Sequence, residues 1–138
     1  MNKTVEELKS TIESFLVINA LVNSHPLKYF FIDCDQDIWD PSIKYFTILV
    51  ILDDVERDSN LKILYNYQDN SISIELFLLN YKTTVICDFL NKRVLRYKNC
   101  FKYGSYDYNR YIFNFNLLQF KKFFKVLQAT ILRNRFKS

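Results

Sequence analysis

The sequence predicts an α+β fold: an N-terminal helix, an antiparallel sheet of five or six strands, and a C-terminal helix. Three observations carry that expectation. The first twenty or so residues place apolar side chains at helical spacing. The middle of the chain is a succession of short alternating or apolar runs separated by turn dipeptides. From Leu117 the helical spacing returns. Short connections between successive runs favour antiparallel neighbours. A length of 138 residues is that of one domain spanning 1–138, and a chain of this size buries about 68% of its unfolded surface.

The first element reads "TVEELKSTIESFLVINALVNS". Val5, Leu8, Ile12, Phe15 and Leu16 recur at i, i+3, i+4 intervals. Thr4 and Glu7 have the spacing of a capping box, and Glu6 and Glu7 suit the positive end of the helix dipole. "SHP" ends the helix, because Pro26 disfavours a helical conformation at His25. "LKYFFIDC" is then a short strand leading into an acidic loop that closes at Pro41. "IKYFTILVILDD" follows as the strongest strand. Its even and odd positions are both largely apolar, so it is expected near the middle of the sheet and covered on both sides.

"LKILYNYQ" and "SISIELFLL" flank Asp69-Asn70, a dipeptide suited to a two-residue turn. With that turn, Tyr67 faces Ile72, Tyr65 faces Ile74, Ile63 faces Leu76 and Leu61 faces Leu78, all apolar and all on one face. A slip of one residue would destroy this sorting. "TTVICDFL" and "RVLRYKNCFKY" read as two further strands around Asn91-Lys92, while "GSYDYNRYIFNFN" fits either state. In the last segment Leu117, Phe120, Phe124, Leu127 and Ile131 form one stripe, with Lys121, Lys122, Lys125 and Gln128 off it.

The composition excludes several chemistries. The chain has one glycine, Gly104, and phosphate-cradling loops need several, because their backbone must approach the phosphate and visit positive φ. Nucleotide-binding loops are therefore excluded. The single histidine, His25, stands in a turn with no nucleophile elbow in the sequence. Cys34, Cys87 and Cys100 match no zinc spacing and read as reduced, buried thiols, which points to a cytoplasmic protein. No apolar run approaches the roughly 20 residues of a membrane span. Asn, Lys, Ile, Tyr and Phe are abundant, a bias typical of A/T-rich genes, as in many viruses and horizontally acquired bacterial islands.

What remains is charge. Residues 1–69 carry a net −6 and residues 70–138 a net +10, so the overall +4 hides two regions of opposite sign. The acids gather in "FIDCDQDIWDP" and just beyond: Asp33, Asp35, Asp37 and Asp40 with Trp39 among them, then Asp53, Asp54, Glu56 and Asp58. The start resembles an EF-hand loop but has Ile38 where glycine is required and Lys44 where the bidentate glutamate belongs. A Mg²⁺ site would need Asp33 and Asp35 to meet Asp53 and Asp54, yet consecutive antiparallel strands end at opposite edges of a sheet. No metal or cofactor is therefore expected. The cluster reads either as a solvated loop or as a negative surface that attracts a basic protein, with Trp39 either packed in the core or serving as the contact anchor.

The expected function is thus non-enzymatic binding of another protein. Its most concrete form is an immunity protein: an antitoxin that neutralises a bacterial toxin by covering a basic surface, with Asp33, Asp35, Asp37, Trp39, Asp40, Asp53, Asp54, Glu56 and Asp58 at the contact. The alternative is a nucleic-acid-binding or viral accessory protein using Arg93, Arg96, Lys98, Lys102, Lys121, Lys122 and Lys125, interleaved with tyrosines. A third is a Mg²⁺-dependent phosphodiester enzyme using the Asp pairs.

Overall fold

The computed structural model describes residues 2–22, 27–52, 59–79, 100–104 and 108–135. Helix α1 (Lys3–Val22) leads into strands β1 (Lys28–Gln36), β2 (Lys44–Ile51), β3 (Asn60–Asn66) and β4 (Ile72–Leu79). Strands β5 (Cys100–Gly104) and β6 (Tyr108–Phe115) follow, and helix α2 (Leu117–Arg135) is last. The six strands form one antiparallel sheet in the order β1-β2-β3-β4-β6-β5. The architecture is α+β, as the sequence pattern requires. The expected strand "TTVICDFL" and the first residues of "RVLRYKNCFKY" lie outside the described residues. The ambiguous segment contains β6.

Both helices lie against the same face of the sheet. The α1 stripe of Val5, Leu8, Ile12 and Phe15 and the α2 stripe of Phe120, Phe123, Phe124 and Leu127 are buried with Phe46, Ile48 and Val50 of β2. Leu61, Ile63 and Tyr65 of β3, Ile72, Ile74, Leu76 and Leu78 of β4, Tyr111, Phe113 and Phe115 of β6, and Leu52 after β2 belong to the same core. Phe15 meets Phe124 edge-on at 5.5 Å between ring centroids, a favoured aromatic geometry. Phe123, which the sequence stripe omits, contacts both Phe113 and Phe115.

Each helix start is closed by an asparagine. The Asn2 carbonyl accepts the Glu6 N–H at 3.1 Å, and its side-chain oxygen accepts the N–H groups of Thr4 and Val5. Asn2, and not Thr4, is therefore the N-cap. Thr4 lies within the first turn, two residues after the cap, and Glu7 is drawn sideways to Lys121 of α2 at 3.2 Å instead of backwards to a cap. At α2 the reciprocal box is present: Asn116 accepts from the Gln119 N–H at 2.8 Å, and Gln119 accepts from the Asn116 N–H at 2.9 Å.

The β3–β4 hairpin keeps the expected faces with a different register. Tyr65 stands opposite Ile72, Ile63 opposite Ile74 and Leu61 opposite Leu76. This is a shift of two residues, which leaves every side chain on its face. The turn is wider than two residues because Asn70 adopts the left-handed conformation (φ 60°) and its N–H returns to the Asn66 carbonyl at 3.0 Å. Tyr67 thereby enters the loop, and the Tyr65 hydroxyl bonds the Asn70 side chain. Strand β2 is second from the sheet edge and not central, because β1 to β4 follow one another as a meander. Its Phe46–Ile48–Val50 face is buried under the helices. On the opposite face Thr47 and Ile51 are buried, and Tyr45 and Leu49 half-buried. Among the described residues no helix is long and apolar enough to cross a membrane.

Candidate functional site

The acidic segment spans the end of β1 and the β1–β2 loop, and a bulge decides where its carboxylates go. Ile32 stands opposite Thr47, but the next paired residue is Asp35, opposite Tyr45, so one extra residue is inserted. Cys34 takes up the distortion with φ 58°. Asp33 then accepts a hydrogen bond from the Tyr67 hydroxyl, while Asp35 accepts one from Thr47 Oγ1 at 3.1 Å. Tyr67 belongs to the rim of the helix-covered core, and Thr47 lies on the other face of the sheet. The two acids thus diverge.

Beyond the bulge the chain closes on itself. Asp37 N–H donates to the Ile43 carbonyl and Ile43 N–H to the Asp40 carbonyl, both at 3.0 Å. Asp37 Oδ1 accepts the N–H groups of Trp39 at 2.7 Å and Asp40 at 3.1 Å, and Tyr45 donates its hydroxyl to Asp37 Oδ2 at 3.3 Å. Asp40 Oδ1 accepts both the N–H and the hydroxyl of Ser42. These are Asx turns, in which a short carboxylate side chain replaces a backbone acceptor.

The hydrogen bonds also set the titration of the groups. The Tyr67 hydroxyl holds the Asp33 carboxyl below the ordinary carboxylate value. The Trp39 and Asp40 N–H groups do the same for Asp37. Burial, reinforced by Asp33, pushes the Tyr67 hydroxyl well above its usual value, and burial with Asp37 raises Tyr45. All four effects keep the carboxylates ionised and the tyrosines protonated at neutral pH.

The loop presents its two largest apolar side chains to solvent. Ile38 is 90% exposed and Trp39 91% exposed. Trp39 is therefore not a core residue, which leaves the contact-anchor alternative standing. Beside it lies a concavity of about 420 Å³ lined by Asp35, Asp37, Trp39, Tyr45, Lys62 and Arg110, among others. Arg110 in its lining is held by Glu75 at 3.6 Å. The mouth of the concavity thus carries carboxylates on the loop side and paired charges on the sheet side.

The structure brings Asp33, Asp35, Asp37, Trp39 and Asp40 into one hairpin, but each carboxylate turns to a different donor. Among the described residues no group of three His, Cys, Asp or Glu side chains is placed to hold a metal ion. Asp53, Asp54, Glu56 and Asp58 lie outside the described residues, as do Arg93, Arg96 and Lys98. Lys102 on β5 sits over the Tyr111 ring at 5.8 Å. Lys121 is engaged by Glu7, while Lys122 and Lys125 flank a groove between the helices that includes Ser10 and Ser14. Of the basic residues expected at a nucleic-acid contact, the described ones are therefore distributed over β5 and α2.

Sequence reasoning did not single out Ile38, nor Tyr45 and Tyr67 as the partners of the acids. A signal for the loop's rigidity was present: Asp37 and Asp40 each precede by two residues an N–H that they accept, and Pro41 fixes the backbone between them. The arrangement can accept hydrogen bonds from cationic donors and presents two apolar side chains to solvent. No protein family, curated protein or solved structure matches this chain.

Proposed function

We propose that the chain is a protein-binding module whose β1–β2 loop docks on a basic partner, and that it acts as an immunity protein neutralising a toxin by direct contact. The observation that carries the reading is the display of Ile38 and Trp39, 90% and 91% exposed, on a loop tied down by its own hydrogen bonds. An apolar pair held in that way meets a partner with little ordering entropy left to lose, and this is what favours tight association. Asp35, Asp37 and Asp40 around it supply a negative rim, which raises the rate of encounter with a cationic surface and penalises acidic ones. Trp is a frequent energetic anchor in such contacts. The basic substrate cleft of a nuclease toxin has the complementary sign.

The test is co-expression with the product of the adjacent gene, followed by size exclusion of the mixture. Relief of toxicity and a co-eluting complex, both lost in Trp39→Ala and in Asp35→Lys/Asp40→Lys, are the expected results. Absence of a complex and of relief with the unaltered chain refutes the reading.

A further inference from the structure

Strand β1 borders the sheet, and among the described residues nothing pairs with its outer side. Edge strands are ordinarily short, charged or interrupted, because their unpaired backbone groups invite another strand. This edge instead exposes Tyr29 (47%), Phe30 (46%) and Ile32 (42%) over a stretch free of bulges. The apolar surface continues onto α1, where Val17 and Leu21 are exposed. Leu16, Val17, Ala20, Leu27 and Tyr29 line a shallow groove between helix and edge.

We infer that β1 is a homodimer interface, at which a second copy of the chain pairs antiparallel through Lys28–Ile32 and continues the sheet across a two-fold axis. Three features select a second copy. The regular part of β1 is five residues, ended by the bulge at Cys34, and among antiparallel registers only the one centred on Phe30 pairs all five with the same five residues of the second copy. That register sets Phe30 against Phe30 on one face and Tyr29 against Phe31 on the other. It thus makes aromatic cross-strand pairs, a stabilising class, and respects the rule that facing residues share a side of the sheet. The third feature is charge. Lys28 begins the strand, and Asp35, beyond the bulge, returns to the face that Lys28 and Ile32 occupy. Antiparallel self-pairing puts each Lys28 diagonally beside the partner's Asp35, whereas a parallel pairing would oppose like charges. The groove beside Val17 then receives apolar side chains from the partner's edge. None of this uses Ile38 or Trp39; Asp35 alone is shared with the acidic rim, so the dimer is tested at Phe30 and Ile32 and the docking of a basic protein at Trp39.

Light scattering behind size exclusion, over a dilution series of the full chain, should give twice the 16.7 kDa chain mass. Phe30→Lys/Ile32→Lys should give the single mass with an unchanged circular dichroism spectrum, because both side chains are exposed. Phe101→Lys, at the other end of the sheet, should leave the dimer intact. Independently of folding in the lysine variant, Phe30→Cys in a Cys34→Ser background should form a cross-linked dimer on mild oxidation that the Cys34→Ser parent does not form. A single-chain mass at every concentration overturns the inference. So does a dimer lost in Phe101→Lys but not in the β1 variant, or a Phe30→Cys chain that fails to cross-link.

Discussion

Truncating Trp39 to alanine separates folding from binding. A tryptophan 91% exposed removes little surface from water on folding. With about 250 Å² for a large aromatic, a tenth of it buried and ~25 cal/mol per Å², its contribution to stability is of order 0.5 kcal/mol. In a contact, by contrast, an anchoring Trp truncated to Ala costs about 2–4 kcal/mol, a loss of about 30- to 800-fold in affinity. Urea denaturation monitored by circular dichroism should therefore place Trp39→Ala within ~0.5 kcal/mol of the unaltered chain. Phe46→Ala, at 1% exposure beneath the helices, should lose about 3–5 kcal/mol. Fluorescence gives a second readout that needs no partner, since the chain has one tryptophan. The native emission should match that of free tryptophan, be quenched by iodide, and stay in place on unfolding. A blue-shifted native emission that moves red in urea, or a stability loss above about 1.5 kcal/mol, would show the indole packed and refute the reasoning.

Three further outcomes are expected. Asn116→Ala removes the oxygen that accepts the Gln119 N–H and should cost about 1 kcal/mol in urea titrations, as an N-cap loss does; Thr4→Ala, in the first turn of α1 but not its cap, should cost clearly less. The Asp37 carboxyl titrates below its ordinary value because it accepts the Trp39 and Asp40 N–H bonds, so the folded loop binds fewer protons than the unfolded chain. Its stabilisation is complete from about pH 5 upward and is lost as pH falls through the native value; the Trp39 amide shift should follow that titration, and should stay flat in Asp37→Asn. Finally, Lys62→Cys/Glu75→Cys should form a disulfide within the hairpin, because these residues are directly opposed; efficient bridging of Lys62→Cys to Phe77→Cys instead would restore the two-residue-turn register.

The elements that were legible are those whose side chains repeat. Leu61, Ile63 and Tyr65 against Ile72, Ile74 and Leu76 could be assigned to one face because period two survives any even slip. The register could not be read, because it depends on one backbone torsion at Asn70 that alternation does not encode. Local capping was misread. The Thr4-x-x-Glu7 spacing does not close, since Asn2 already serves α1 and Lys121, 114 residues away from Glu7, claims the carboxylate; the box that does close, Asn116-x-x-Gln119, was not singled out from the sequence. The site shows the same division. That Asp33 to Asp40 gather in one loop is written in sequence adjacency. That Asp33 and Asp35 part company follows from the bulge at Cys34, and the outward indole from a ring of Asx hydrogen bonds.

The strand order has a consequence for synthesis. β4 is completed at Leu79, but its neighbour on the far side is β6, which begins at Tyr108. At about 5–20 residues per second, that edge of β4 waits roughly 1.5–6 s before the first residue of its cover is made. The stretch left bare carries Ile74, Leu76 and Leu78, and α2, which shelters the same side, emerges later still. A nascent chain of this protein is thus a ready client for holding chaperones, and a stall between these two strands would release a sticky fragment.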